Sequence, residues 1–174
     1  MATLDRSGAE IAALAERAAR GAGFPPAQSA QFGRAAALHL ASGGDSAALS
    51  DALATARKGP VLRLALLQDD LARAMTAAGP DIVLSIEPDD VALAPAYVAL
   101  FPRDVSVVEI VKGSPPRPAR LHLRFGSDAV ARPARLSRAT VPEKLWQSFK
   151  ALAARMDVPD SAESRARGAG ETGA

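Results

Sequence analysis

The chain of 174 residues has no cysteine, one tryptophan, one tyrosine and five phenylalanines. Without cysteine, a disulfide scaffold, a thiolate metal site and a cysteine nucleophile are all excluded. There are two histidines, His39 and His122, and no HExxH spacing, so no metal site is expected. No uncharged apolar stretch reaches the roughly 18 residues that a membrane-spanning helix needs. The opening residues, Met1-Ala2-Thr3-Leu4-Asp5-Arg6, lack the basic-then-apolar run of a secretory signal, so a cytoplasmic protein is expected. The lysine-bearing phosphate loop and the nucleophile elbow of hydrolases are absent. Gly21-Ala22-Gly23 follows a helical pattern, where a dinucleotide fingerprint would follow a strand.

What is there is alanine-rich: 40 alanines and 48% hydrophobic content, the profile of a globular chain. The formal charge of +2 hides an asymmetry. Between Lys112 and Arg138 seven basic residues face one acid, a segment of +6 that leaves the remainder at −4. A uniformly basic surface, as expected of a general nucleic-acid binder, does not follow from that distribution.

Helical signals fill the first half. Ser7 and Glu10 make a capping box, and Ile11, Leu14, Ala15 and Ala18 follow at helical spacing before Gly21-Ala22-Gly23. Pro25-Pro26 opens a second helix to about Ser42, with Phe32, Ala35, Ala36, His39 and Leu40 inward. Asp45 caps a third helix, expected to reach about Arg57. Over residues 61–78 the spacing Leu64, Leu67, Leu71, Met75, Ala78 favours one helix over a strand.

After Pro80 the pattern changes. Residues 82–86 read as a strand, and 91–101 leave helix and irregular strand open. Residues 105–111, apolar on both faces, suggest a buried strand. Leu121, Leu123 and Phe125 alternate with Arg120, His122 and Arg124, the pattern of a half-buried strand. Gly126-Ser127-Asp128 is expected to turn the chain, with residues 130–136 returning as an edge strand. Thr140 and Glu143 suggest another capping box, followed by a helix through Met156 that buries Trp146. The expected fold is α+β: amino-terminal helices and a carboxy-terminal helix around a small, mainly antiparallel sheet. It comprises one domain over residues 1–156 and a flexible tail over 157–174.

The strongest chemical signal is the basic strand. Alternation places Arg120, His122 and Arg124 on one face, within reach of Arg132 or Arg135 if a return strand pairs. Guanidinium groups so arranged hold carboxylates or phosphates bidentately. The plainer alternative is a solvated face. In the tail, Arg165, Arg167, Gly168 and Gly170 combine cations with glycines that let backbone N–H groups approach an anion. A frayed terminus is the alternative. His39 lies on an apolar stripe, where a histidine is ordinarily a packed one. The acids Asp69, Asp70, Glu87, Asp89 and Asp90 follow no calcium-loop spacing.

Two stretches resemble an uncharacterised bacterial family known as a domain of unknown function. One is Glu10-Ile11-Ala12-Ala13-Leu14-Ala15 with Ala18-Ala19-Arg20-Gly21-Ala22-Gly23. The other comprises Leu145-Trp146, Leu152-Ala153-Ala154-Arg155, Val158-Pro159, Ser164-Arg165 and Gly168-Ala169-Gly170. The resemblance implies that the tail belongs to the protein's design, and it carries no activity.

The functional expectation is a small binding or accessory protein without a cofactor. It would engage an acidic protein partner or an anionic small molecule through Arg120, His122 and Arg124, with Arg135 and the tail contributing. Two alternatives stand beside it. One is an enzyme acting on a carboxylate substrate, with His122 as acid or base. The other is nucleic-acid binding through the two amino-terminal helices, which have the outline of a helix-turn-helix.

Overall fold

The computed structural model describes residues 2–55, 58–113, 117–130 and 135–156, the side chains of 127–130 excepted. The fold is α+β, as the sequence suggests. Its elements are β1 (Thr3–Arg6), α1 (Gly8–Gly21), α2 (Pro26–Ala41), α3 (Ser46–Ala54), α4 (Pro60–Ala77), β2 (Asp81–Ile86), α5 (Ala94–Val98), β3 (Arg103–Val111), β4 (Ala119–Val130), β5 (Ala139–Pro142) and α6 (Glu143–Ala153). A 3-10 turn, Pro88–Asp90, precedes α5, and another, Ala154–Met156, follows α6.

Local chemistry explains most helix ends. At Ser7 both halves of the capping box form: the Glu10 N–H donates to the Ser7 hydroxyl, and Ser7 N–H donates to the Glu10 carboxylate at 2.9 Å. That bonding, with the Ser7 hydroxyl also donating, holds the Glu10 carboxyl below its ordinary range. Gly23, at φ +96°, adopts the left-handed backbone that follows α1. The Asp45 carboxylate accepts from Ala47 N–H and caps α3.

Helix packing explains the alanines and two glycines. A Cβ on Gly33 would stand 2.4 Å from the Ala12 carbonyl, so α1 and α2 touch backbone to backbone there. A Cβ on Gly21 would collide with the Leu152 carbonyl, where α1 meets α6. Ala15, Ala18, Ala19, Ala35, Ala36 and Ala37 are buried between these helices. Small side chains allow the close approach, and bulky ones would push the helices apart.

The described residues form two small sheets. β1 pairs antiparallel with β5, from Thr3↔Pro142 to Arg6↔Ala139. The larger sheet has the order β2-β4-β3, with both pairings antiparallel. Its inner face presents Ile82, Ile86, Ala119, Leu121, Leu123 and Phe125 to the common core, and the Phe125 ring tilts against Phe101. α5 connects this sheet to the helices: it touches α2, α4 and β3, and Tyr97 is fully buried within it. Burial pushes the Tyr97 hydroxyl pKa well above its ordinary value.

Several expectations need correction. β4 does not turn at Gly126 but runs on to Val130. Gly126 lacks the Cβ that would collide with the Asp104 carboxylate lying over it. The expected return strand falls mostly on residues 131–134, outside the described residues; β4 is paired on its two sides by β2 and β3, and Arg135 stands exposed on the segment before β5. Thr140 caps nothing, because Glu143 N–H donates to the Ala2 carbonyl at 3.0 Å and Pro142 closes β5. β1 itself was not foreseen. Trp146 is half-buried, with the Arg6 guanidinium 5.1 Å from its ring centroid, a cation–π contact that β1 supplies. β3 is not a buried strand: it lies at the sheet edge, with Val108 47% and Val111 48% exposed. The ambiguous segment 91–101 holds only the short α5, and α3 ends at Ala54, with residues 56–57 outside the described residues. The expected tail also lies outside them.

Candidate functional site

Among the described residues, the helices cover one face of the larger sheet and leave the other exposed. Period-two alternation along β4 therefore sorts its side chains cleanly: Leu121 and Leu123 point to the core, while Arg120, His122 and Arg124 point outward. The three expected basic residues do share one face. Arg135 does not join them.

β4 is the middle strand, so each basic residue has a neighbour on both sides. Asp81 of β2 and Ser106 of β3 flank Arg124. Val83 and Glu109 flank His122, and Ser85 and Val111 flank Arg120. These neighbours alter the charge of the row. The Arg124 Nε donates to the Asp81 carboxylate at 2.9 Å, and the His122 Nε2 lies 3.7 Å from the same oxygen. Arg120 has no ion pair among the described residues. The free cation of the row is thus Arg120, and Arg124 is partly neutralised. Both arginines and Asp81 are exposed, where a single ion pair contributes only about 0–1 kcal/mol. The Arg124–Asp81 pair is weak enough to be exchanged for a stronger carboxylate ligand.

Asp81 and Glu109 were missed as site residues. The signal for Asp81 was present, since Asp81, Val83 and Ser85 alternate with Ile82, Leu84 and Ile86. Val83, 58% exposed, disguised the pattern.

The surroundings of His122 bear on catalysis. Its side chain is 33% exposed on the outward face of β4, and it lines none of five clefts on the described surface. A general acid or base needs a substrate held against it, and the cross-strand neighbours of His122 on this face are Val83 and Glu109. His39 is a packed residue: its Nε2 lies 2.9 Å from the Asp45 carbonyl, and its ring fills the space a Cβ on Gly44 would need.

The acid-rich segment is structural in part. Asp90 is buried and holds the Arg63 guanidinium through both carboxylate oxygens, at 2.8 and 2.9 Å. This pairing raises the Arg63 pKa and ties α4 to the turn before α5. Among the described residues no group of three potential metal ligands converges. On α2, Ser29, Phe32, Gly33, Ala35, Ala36, Ala37, His39 and Leu40 are buried, while Arg34 is exposed and Gln28 and Gln31 are half-buried. Among the described residues no helix is long and apolar enough to cross a membrane. The tail residues Arg165, Arg167, Gly168 and Gly170 lie outside the described residues.

Compared with known protein families, curated sequences and solved structures, the chain has no match.

Proposed function

We propose that this is a binding or accessory protein whose open sheet face engages a carboxylate-rich surface of a protein partner. The observation that carries this reading is the row Arg120, His122 and Arg124 on a face of the larger sheet that no described helix covers, with Arg120 unpaired among the described residues. An exposed sheet face suits an extended acidic surface better than a small anionic metabolite, which needs walls to exclude water. The cytoplasm fits such a role, and no cofactor is required.

Binding to poly-L-glutamate at low ionic strength tests the reading. The Arg120→Gln/Arg124→Gln double variant should lose roughly tenfold or more in affinity, about 1.4 kcal/mol. An Arg34→Gln/Lys150→Gln control, with the same change in net charge, should lose much less. Equal losses in the two would show general charge attraction and would contradict a site on β4.

A further inference from the structure

β2 pairs with β4 in unbroken register from Asp81↔Arg124 to Ile86↔Ala119. Just before it, Phe125 N–H donates to the Pro80 carbonyl at 2.7 Å. In an antiparallel ladder, hydrogen-bonded and non-bonded pairs alternate. The Pro80–Phe125 bond therefore sets the parity of the strand. Ile82, Leu84 and Ile86 bond to β4, and the backbone groups of Asp81, Val83 and Ser85 point away from the sheet. Among the described residues, no hydrogen bond from another element reaches those outward groups.

Proteins ordinarily blunt such an edge with lysine, proline or a bulge. β2, with the sequence Asp81-Ile82-Val83-Leu84-Ser85-Ile86, has none of these. Apolar side chains instead stand exposed beside it: Val83 on the open face, and Leu66 of α4, 59% exposed. Leu66 lines a cleft of about 290 Å³ together with Leu84, Ser85 and Ile86.

We propose that the free edge of β2 is a dimerisation surface, occupied by β2 of a second copy of this chain paired antiparallel about Val83. The edge is self-complementary in that arrangement. Setting Val83 against its symmetry mate places Asp81 opposite Ser85, and the outward residues of both strands satisfy one another's backbone groups. Charge follows the same symmetry. Asp81 stands at one end of the edge, and at the other Arg120 lies across the small Ser85. Antiparallel pairing brings the acidic end of each copy to the Arg120 end of the other. On the inner side, Leu66 and Leu84 of the two copies close the cleft. A six-residue strand with one flanking leucine offers less than the roughly 800 Å² per partner of a standard interface, so the dimer is concentration-dependent. The dimer draws on Arg120 of the basic row and leaves His122 and Arg124 on the open face, and its backbone pairing about Val83 does not rest on what that row binds.

Sedimentation velocity of the full chain, from low micromolar to near-millimolar protein, tests it. The expected result is a monomer–dimer equilibrium. Val83→Lys sets like charges opposite each other across the two-fold and should weaken association roughly tenfold or more. Val83→Pro removes an outward N–H that the monomer does not use, and should do the same. Should the proline variant lose its cooperative thermal unfolding, the lysine variant decides. Sedimentation as a monomer at every concentration overturns the proposal, as does a dimer indifferent to Val83→Lys. Protection of the Val83 and Ser85 amides in a monomer would show the edge covered by the chain's own residues, and would overturn it equally.

Discussion

The two edges of the larger sheet share β4 as their neighbour and are built in opposite ways. β3 is nine residues long, and its register shifts twice, between Arg103 and Val105 and between Val107 and Glu109. It carries Asp104 and Glu109, and α5 packs beside it. β2 is six residues long, regular throughout, and charged only at Asp81. Irregularity and charge keep a stray strand from pairing with β3, whereas β2 presents an undisturbed ladder. The contrast separates an edge that avoids partners from one shaped to receive them.

The largest expected effect removes the floor that both edges share. Leu121 is fully buried on β4, and Leu121→Ala should cost about 3 kcal/mol in denaturant unfolding. A loss below about 1 kcal/mol would mean that β4 does not anchor the sheet. Next comes a repair of the protected edge. Deleting Val108 removes the extra residue between Val107↔Leu123 and Glu109↔His122 and makes β3 regular from Val105 to its end at Val111. The deletion variant should assemble beyond a dimer in sedimentation, because it now has two open ladders. Unchanged assembly would show that the bulge is not what protects β3.

How much of this was legible in the sequence differs between the regions. The capping box at Ser7, the helix over 60–77 and the outward row of Arg120, His122 and Arg124 follow from local spacing, and local spacing is all they depend on. β1 could not be read, because a four-residue strand gains its meaning only from β5, more than a hundred residues away. The same partner overrode the box at Thr140, since the Glu143 N–H was taken by Ala2. The apolar residues of β3 suggested burial, yet the described helices cover only one face. Asp81 and Glu109 entered the site through cross-strand register, which no single segment encodes.

A smaller effect compares side chains directly. Val108→Lys, on the bulged edge, should change stability by no more than about 0.5 kcal/mol and leave association as it was, in contrast to Val83→Lys. A matching loss of association would erase the distinction between the edges. The smallest effect lies away from the sheet. The Glu10 carboxyl is held below its ordinary value of 4.5, with the Ser7 hydrogen bonds as the leading cause. Its contribution is therefore present above that ordinary value and fades as pH falls through the lowered one. Glu10→Gln should flatten this acid-side loss in thermal unfolding and leave exchange at the β2 edge unaltered. An unchanged acid limb would show that the cap contributes nothing measurable.

The central claim is that β2 carries an unpartnered ladder on its outer side, and amide hydrogen exchange reads it residue by residue. In dilute protein, Val83 and Ser85 should exchange rapidly, while Ile82, Leu84 and Ile86, bonded to β4, stay protected. Raising the concentration should slow Val83 and Ser85 selectively. Protection of Val83 and Ser85 at the lowest concentration, equal to that of their neighbours, would contradict the account.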